Sequence, residues 1–197
     1  MNAILPTRLT VEEFLRWSME QERGRYELEA GRIVLMQAEN AGHTKTKQRV
    51  YAALAAAIEA AGLPFYAMPD GPTVRIAVDR AYEPDALIAP LPEVPEDALE
   101  IPNPTAVFEV LSPSPSSMRR DLSVKVEGYS RVASIEHYVI IDPLERQVLH
   151  YRRKGDLLVP PAAPTEGTLH LDPPGLDISI EAMLAAASDE VSGRRLG

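Results

Sequence analysis

The chain has 197 residues, of which 45% are hydrophobic and 25% are charged, as in a globular protein with a core of its own. It contains no cysteine, which excludes disulfides, thiolate metal sites and catalytic thiols. The formal net charge of −9 argues against a protein that attracts nucleic acid by general electrostatics. Carboxylates that bind a metal ion would themselves contribute to this charge, so an enzyme that meets a phosphate through a bound cation is not excluded.

The sequence shows no membrane or export signal. No apolar stretch approaches the roughly 20 residues of a membrane helix. The N-terminus, MNAILPTRLT, lacks the charged-then-apolar pattern of a signal peptide. We therefore expect a cytoplasmic protein with no membrane contact.

The first half of the chain predicts a helix, a hairpin and a longer helix. Thr10 has the spacing of a capping box with the acidic residue three positions later, which begins the first helix. Two β-prone runs within residues 25–36 predict a hairpin. Apolar residues at helical spacing predict a helix over 44–61, which Gly62 ends.

The second half predicts a sheet with one main helix. Helices are predicted over residues 117–131 and 180–187, and six prolines between Pro84 and Pro104 predict a surface loop joining two strands. Strands are predicted over residues 73–78, 85–89, 106–111, 136–142 and 147–152. The sum is a single α+β domain over residues 1–197. Its helix and hairpin occupy about 9–37, and an irregular, proline-rich part occupies about 155–197.

Two acids stand in or beside apolar runs. A charge within a buried strand is costly unless a cation lies beside it, so Glu109 predicts either an ion pair or a side chain that alternates toward solvent. Asp85 opens a neighbouring apolar run directly after Pro84, where a simple turn acid is also common. On adjacent strands the two carboxylates would share one sheet edge. Together with a backbone carbonyl they would suit Mg²⁺ or Mn²⁺.

A lysine follows on the next predicted helix. Asp121, Lys125 and Tyr129 are spaced four residues apart and so share one helix face. From there Lys125 could reach over the sheet edge, to orient a water molecule or neutralise charge on a phosphate. The alternative is an Asp121–Lys125 pair on the surface, which the spacing alone favours at least as much.

Weaker signals lie near the N-terminus. Glu27 belongs to the predicted hairpin and could simply face outward. His43, Lys45 and Lys47, with Arg49, form a compact basic stretch that could contact a phosphate backbone. A solvated helix start is the alternative that the pattern alone favours.

Several segments follow one another in a specific order along the chain. They are residues 26–31 (YELEAG), His43, residues 84–85 (PD), residues 108–114 (FEVLSPS), Asp121, Lys125, Tyr129 and residues 138–143 (YVIIDP). This order resembles the Uma-two family of restriction endonucleases, in the PD-(D/E)XK nuclease superfamily. The resemblance runs from about Leu9 to Met183.

The resemblance implies a restriction-endonuclease-like αβββαβ core, with a mixed central sheet flanked by helices. It implies that Asp85 and Glu109 are catalytic and hold a divalent metal with the carbonyl of Val110. Glu27 would be a further or water-mediated metal ligand.

The sequence departs from the superfamily pattern at Leu111, where a lysine is expected. The position that matches in this family is Lys125, which would complete the catalytic set. Ser112, Asp121 and Tyr129 also match family positions, in supporting roles. If Lys125 does not reach the site, hydrolysis becomes doubtful.

These residues together predict a Mg²⁺- or Mn²⁺-dependent endonuclease that hydrolyses phosphodiester bonds, with DNA as the expected nucleic-acid partner. Action on two strands favours a homodimer. A catalytically silent binding or scaffold module of the same fold is the alternative. An acid–base pair of a glycosidase ranks last, because one tryptophan and few other aromatics offer little for a sugar to stack on.

Overall fold

The computed structural model describes residues 8–112 and 114–184. In chain order the elements are α1 (Val11–Met19), β1 (Tyr26–Glu29), β2 (Arg32–Leu35), α2 (Ala41–Ala61), β3 (Phe65–Pro69), β4 (Val74–Ala77), β5 (Arg80–Tyr82), β6 (Ala86–Pro90), β7 (Ala106–Val110), α3 (Pro115–Arg119), a π-helical turn (Arg120–Val124), α4 (Lys125–Ser130), β8 (His137–Asp142), β9 (Gln147–Lys154), β10 (Leu157–Val159), β11 (Thr168–Leu171), β12 (Leu176–Ser179) and α5 (Ile180–Leu184).

The helix ends follow local chemistry. The Thr10 hydroxyl accepts a hydrogen bond from the Glu13 amide, and the Glu13 carboxylate accepts one from the Thr10 amide, which is the capping box that the sequence predicted. Helix α2 begins at Ala41, three residues before the predicted start, because the side chain of the N-cap Asn40 accepts from the His43 amide. Gly62 ends α2 in the left-handed conformation, with φ of 61°.

A six-stranded mixed sheet forms the centre of the molecule, in the order β10-β9-β8-β7-β6-β3. Strands β7 and β8 are parallel and all other neighbours in this sheet are antiparallel. A parallel pair needs a crossover, and α3 through α4 supply it. The series α2, β3, β6, β7, α3–α4, β8 therefore has the expected αβββαβ order, and the α+β fold class is confirmed.

A second sheet lies beside the first, in the order β2-β1-β5-β4. The hairpin β1–β2 belongs to this second sheet, so Glu27 lies on a different sheet from Glu109. Helix α2 covers one face of the central sheet with Val50, Leu54 and Ile58. The other face packs around Tyr129 and Tyr138.

Three expectations need correction or limits. The predicted proline-rich loop is confined to the residues after Pro90, because the strand predicted over residues 85–89 forms as β6 at the start of this stretch. The C-terminal part contains β10 and the hairpin β11–β12, so it is not simply irregular. The last helix is described only to Leu184, and the predicted residues 185–187 lie outside the described residues.

Within the described part of the chain, no helix has both the length and the apolar character needed to cross a membrane.

Candidate active site

Asp85 lies directly before β6 and Glu109 lies on β7, and these two strands are neighbours in the central sheet. The Asp85 amide donates to the Phe108 carbonyl at 3.0 Å, which sets the residue directly before β6 against β7. The Val110 amide donates to Asp85 Oδ2 at 2.7 Å. The Asp85 carboxylate is thus fixed to the residue that follows Glu109, as the predicted shared sheet edge requires.

Glu109 is a buried charge with partners. Its side chain is 4% exposed, and Glu109 Oε1 accepts from Lys125 Nζ at 2.7 Å and from the Tyr129 hydroxyl at 3.0 Å. Burial raises the pKa of Glu109 well above its ordinary value. Lys125 opposes this rise, while Asp85 and other nearby carboxylates add to it. The solvent-facing alternative for Glu109 is therefore wrong.

Lys125 joins acids from three elements. Its ammonium lies 2.7 Å from Glu109, 3.1 Å from Glu27 Oε1 and 3.7 Å from Asp121 Oδ1. Burial alone would lower the pKa of Lys125, but these carboxylates raise it above its ordinary value, so the group is an ammonium at neutral pH. Lys125 reaches the sheet edge, and the surface-pair alternative is wrong because its side chain is 4% exposed.

Asp121 stands at the margin of the same cluster. Burial raises the pKa of Asp121 to about 6; Lys125 opposes the rise, and Asp85 and Glu27 add to it. The residue lies in the π-helical turn, where one extra residue per turn shifts the helix face. This turn carries Arg120 and Asp121 on the side that faces the cluster.

Arg120 is a site residue that the sequence reasoning missed. Its guanidinium lies 2.5 Å from Glu27 Oε2 and 5.4 Å from the centre of the Tyr82 ring. No sequence signal could place it there, since ordinary helical spacing does not anticipate a π-helical turn. Its position next to Glu27 gives the cluster a second cation.

These groups line a cleft of about 220 Å³. Its charged lining contains five acidic and two strongly basic side chains: Glu27, Glu39, Asp85, Glu109, Asp121, Arg120 and Lys125. Ser112 and the apolar residues Val34 and Leu35 complete part of the wall. The cleft therefore carries an excess of negative charge that a cation would offset.

The donor set suits a hard divalent cation. Asp85, Glu109 and Val110 all line the cleft, and they offer two carboxylates and a backbone carbonyl. Among the described residues, no three acidic or histidine side chains are grouped as metal ligands usually are. The metal ligands predicted from the sequence are two carboxylates and one backbone carbonyl, which do not require three clustered acidic side chains. Glu27 would then be a fourth, additional ligand.

The side chains of the basic stretch of α2 lie in three different environments: the cleft, the solvent and the protein interior. His43 Nε2 donates to the Val110 carbonyl at 2.8 Å and lies 3.8 Å from Asp85 Oδ2, so it lies among the proposed metal donors. Lys45 is exposed. Lys47 is buried and its ammonium is 3.1 Å from Asp85 Oδ1, so it is not on a solvated face as the stretch alone suggested.

Around Lys47 lies an ion network that the sequence did not reveal. Lys47 Nζ also contacts Glu39 at 2.7 Å and Asp70 at 2.5 Å. Arg25 pairs with Glu39, with Asp70 at 3.1 Å and with Glu83 at 2.6 Å. These residues are up to 58 positions apart in sequence, so no local pattern could have found them.

Comparison with known proteins gives first the class of the fold. The chain is similar to a solved structure described as "a putative nuclease belonging to DUF820" from Anabaena variabilis, with a TM-score of 0.66 and 16% identity. The match covers 89% of this chain and 97% of that one. At this identity the likeness shows a shared fold.

The family follows from the sequence itself. The model of the Uma2 family, described as "Putative restriction endonuclease", matches residues 11–185, and the chain belongs to this family. The resemblance predicted from the motifs is thereby confirmed. A search of curated proteins found no match.

Proposed function

We propose that this protein is a divalent-metal-dependent endonuclease that hydrolyses phosphodiester bonds in DNA. The observation that carries the proposal is the presence of Asp85, Glu109 and Lys125 in one cleft, with Lys125 Nζ 2.7 Å from Glu109. A PD-(D/E)XK nuclease needs this combination of two acids and a cation. Membership of a family described as restriction endonucleases supports it.

The residues divide the work by their positions. Asp85, Glu109 and the Val110 carbonyl would hold Mg²⁺ or Mn²⁺, with Glu27 as a further or water-mediated ligand. The bound metal would lower the pKa of a water molecule and screen the phosphate. Two of the three Lys125 N–H groups face Glu109 and Glu27, so the third can orient a water or a phosphate oxygen.

The remaining cleft residues would support the site. The Tyr129 hydroxyl fixes Glu109, and Arg120 lies beside Glu27 where it can meet a phosphate oxygen. Asp121 and Ser112 line the approach. Lys45, exposed near the start of α2, would contact the sugar-phosphate backbone outside the cleft. A duplex has two strands, so we propose a homodimer with one site for each strand, acting in the cytoplasm.

The position of Lys125 supports a catalytically active protein over a catalytically silent binding module. Leu111, which stands where the superfamily has its lysine, is 5% exposed and belongs to the apolar core. Lys125 supplies a cation at Glu109 from the next helix instead. A silent scaffold would have no need to bury an ammonium at this cost.

Calorimetric titration of Mn²⁺ and Mg²⁺ tests the proposal in its first step. Wild-type protein is expected to bind, and Asp85→Asn and Glu109→Gln are expected to lose binding. Glu127→Gln is the matched control, because Glu127 lies on α4 close to Lys125 but its side chain is 70% exposed. This variant should bind as the wild type does.

Cleavage of plasmid DNA, single-stranded DNA and RNA in the same buffers tests the second step. The proposal expects metal-dependent cleavage of DNA that Glu109→Gln and Lys125→Met abolish. Metal binding with no cleavage of any substrate would favour the silent binding module. Cleavage that persists in purified Glu109→Gln would refute the assigned site.

A further inference from the structure

The second buried lysine of the molecule lies behind Asp85. Lys47 Nζ is 3.1 Å from Asp85 Oδ1, 2.7 Å from Glu39 Oε1 and 2.5 Å from Asp70 Oδ2. An ammonium has three N–H donors, and three carboxylates surround this one. All three of these carboxylates lie within 3.1 Å, so Lys47 has no N–H left for a phosphate group. Lys125 differs, because its third carboxylate, Asp121, lies 3.7 Å away, beyond hydrogen-bond distance.

The two oxygens of Asp85 contact different partners. Oδ2 accepts from the Val110 amide at 2.7 Å, and Oδ1 faces Lys47. One contact comes from β7 and the other from α2, so the plane of the carboxylate is fixed between the sheet and the helix. The cleft side of Asp85 is thereby kept in one orientation.

We propose that Lys47 is a positioning residue that orients Asp85 for the metal ion and takes no direct part in substrate binding. This inference rests on the proposed metal-dependent nuclease. It replaces the nucleic-acid contact that the basic stretch suggested for Lys47, and it leaves that role to Lys45. The two lysines lie two positions apart on α2, which turns their side chains to different faces.

The charge state of the network agrees with this role. Burial alone would lower the pKa of Lys47, but Asp85, Asp70 and Glu39 raise it above its ordinary value. Burial alone would raise the pKa of Glu39, but Lys47 and Arg25 lower it below its ordinary value. Lys47 is thus a permanent cation across the pH range of an assay. Its side chain is 5% exposed, and the cleft wall does not include it.

The test compares Mn²⁺ affinity with DNA affinity in two lysine variants. Lys47→Met is expected to weaken Mn²⁺ binding by about 10- to 100-fold, as loss of a group that orients a ligand does. Its kcat should fall while KM for DNA stays within about threefold of the wild type. Lys45→Met should show the opposite pattern, with unchanged Mn²⁺ affinity and a higher KM for DNA. The slope of log DNA affinity against log salt concentration should be smaller in magnitude by about 1.

A conservative variant separates positioning from a merely structural role. Lys47→Arg keeps the charge beside Asp85 and should restore Mn²⁺ affinity to within about tenfold of the wild type. If Lys47→Met does not fold, Lys47→Gln takes its place, because its amide can still donate to one carboxylate. It lacks the charge and cannot hold all three acids, so its Mn²⁺ affinity should still fall below that of Lys47→Arg. A variant that loses thermal stability but binds Mn²⁺ as the wild type does would overturn the inference.

The outcomes distinguish this inference from the proposed function. If wild type binds Mn²⁺ and cleaves DNA but Lys47→Met raises only KM, Lys47 contacts the substrate and the positioning role is refuted while the nuclease stands. If the wild type binds no Mn²⁺ with or without DNA, the proposed function fails. The positioning role then fails with it, since there is no metal for Asp85 to meet.

Discussion

Lys125→Met should destabilise the folded protein strongly, and the deficit should depend on pH. At an effective dielectric constant of about 20, unit charges separated by the 2.7 Å between Lys125 Nζ and Glu109 attract by roughly 6 kcal/mol. Part of this attraction offsets the free-energy cost of removing the ammonium from water. Removing one member of a buried pair costs about 3–5 kcal/mol.

The pH dependence follows from the charge that remains. Burial already raises the pKa of Glu109 with Lys125 present, and without Lys125 the pKa rises further. The folded variant can therefore accept a proton on Glu109 as the pH falls, which removes the unpaired charge. We expect the full deficit of about 3–5 kcal/mol at pH 8 and a clearly smaller one at pH 5.

Denaturant unfolding of four proteins tests this reasoning. They are the wild type, Lys125→Met, Glu109→Gln and the double variant. The double variant leaves no unpaired charge at position 109, so it should recover most of the stability lost in Lys125→Met at pH 8. A double variant as unstable as Lys125→Met, or a deficit equal at both pH values, would refute the buried-pair account.

Two further predictions concern packing and a pair of histidines. Gly128→Ala should cost about 1–3 kcal/mol in unfolding experiments, because an added Cβ would lie 2.4 Å from Cε2 of the fully buried Tyr82 ring. Gly42→Ala is its control, with a nearest contact at 3.2 Å, and equal losses in both would contradict the clash. His150 Nε2 lies 2.9 Å from His137 Nδ1, and burial lowers the pKa of His137 to about 4 and of His150 to about 3. The neutral rings are thus favoured in the folded state. Their contribution is complete above pH about 6.5 and is lost as the pH falls toward 4. His150→Gln should therefore reduce the loss of stability between pH 7 and 4.5, and an unchanged pH dependence would show that the pair does not titrate as described.

The predictable part of the fold is the part that local chemistry controls. The capping box at Thr10 and the left-handed Gly62 set helix ends, and both depend on a few adjacent residues. Glu109 stood out because one acid within an apolar strand has few low-energy solutions. The four-residue spacing also placed Lys125 on the correct helix, although spacing alone could not choose between surface and interior.

The sequence around Lys47 does carry a signal for its burial. Its position, followed by Val50, Leu54 and Ile58 at helical spacing, lies on the apolar face of α2. The neighbouring basic residues mask this signal, because Lys45 in the same stretch faces solvent.

Other features had no local signal. Arg120 depends on a π-helical turn that changes the helix register. The pairing of Arg25 with Glu83 joins residues 58 positions apart. Contacts of this kind are set by how the two sheets pack, which a single sequence does not reveal.

The division of the cleft between two sheets has a consequence for synthesis on the ribosome. Glu27 comes from the hairpin sheet, Glu109 from the central sheet, and Lys125 from a helix that leaves the ribosome after both. No fragment that ends before residue 125 contains the complete set of charges. Until Lys125 arrives, the two acids lack the ammonium that neutralises them in the finished fold, so they resist being buried together. Core residues such as Tyr138, Val139 and Ile141 of β8 follow Lys125 in the chain, so the full set of cleft charges is present before the core can close around it.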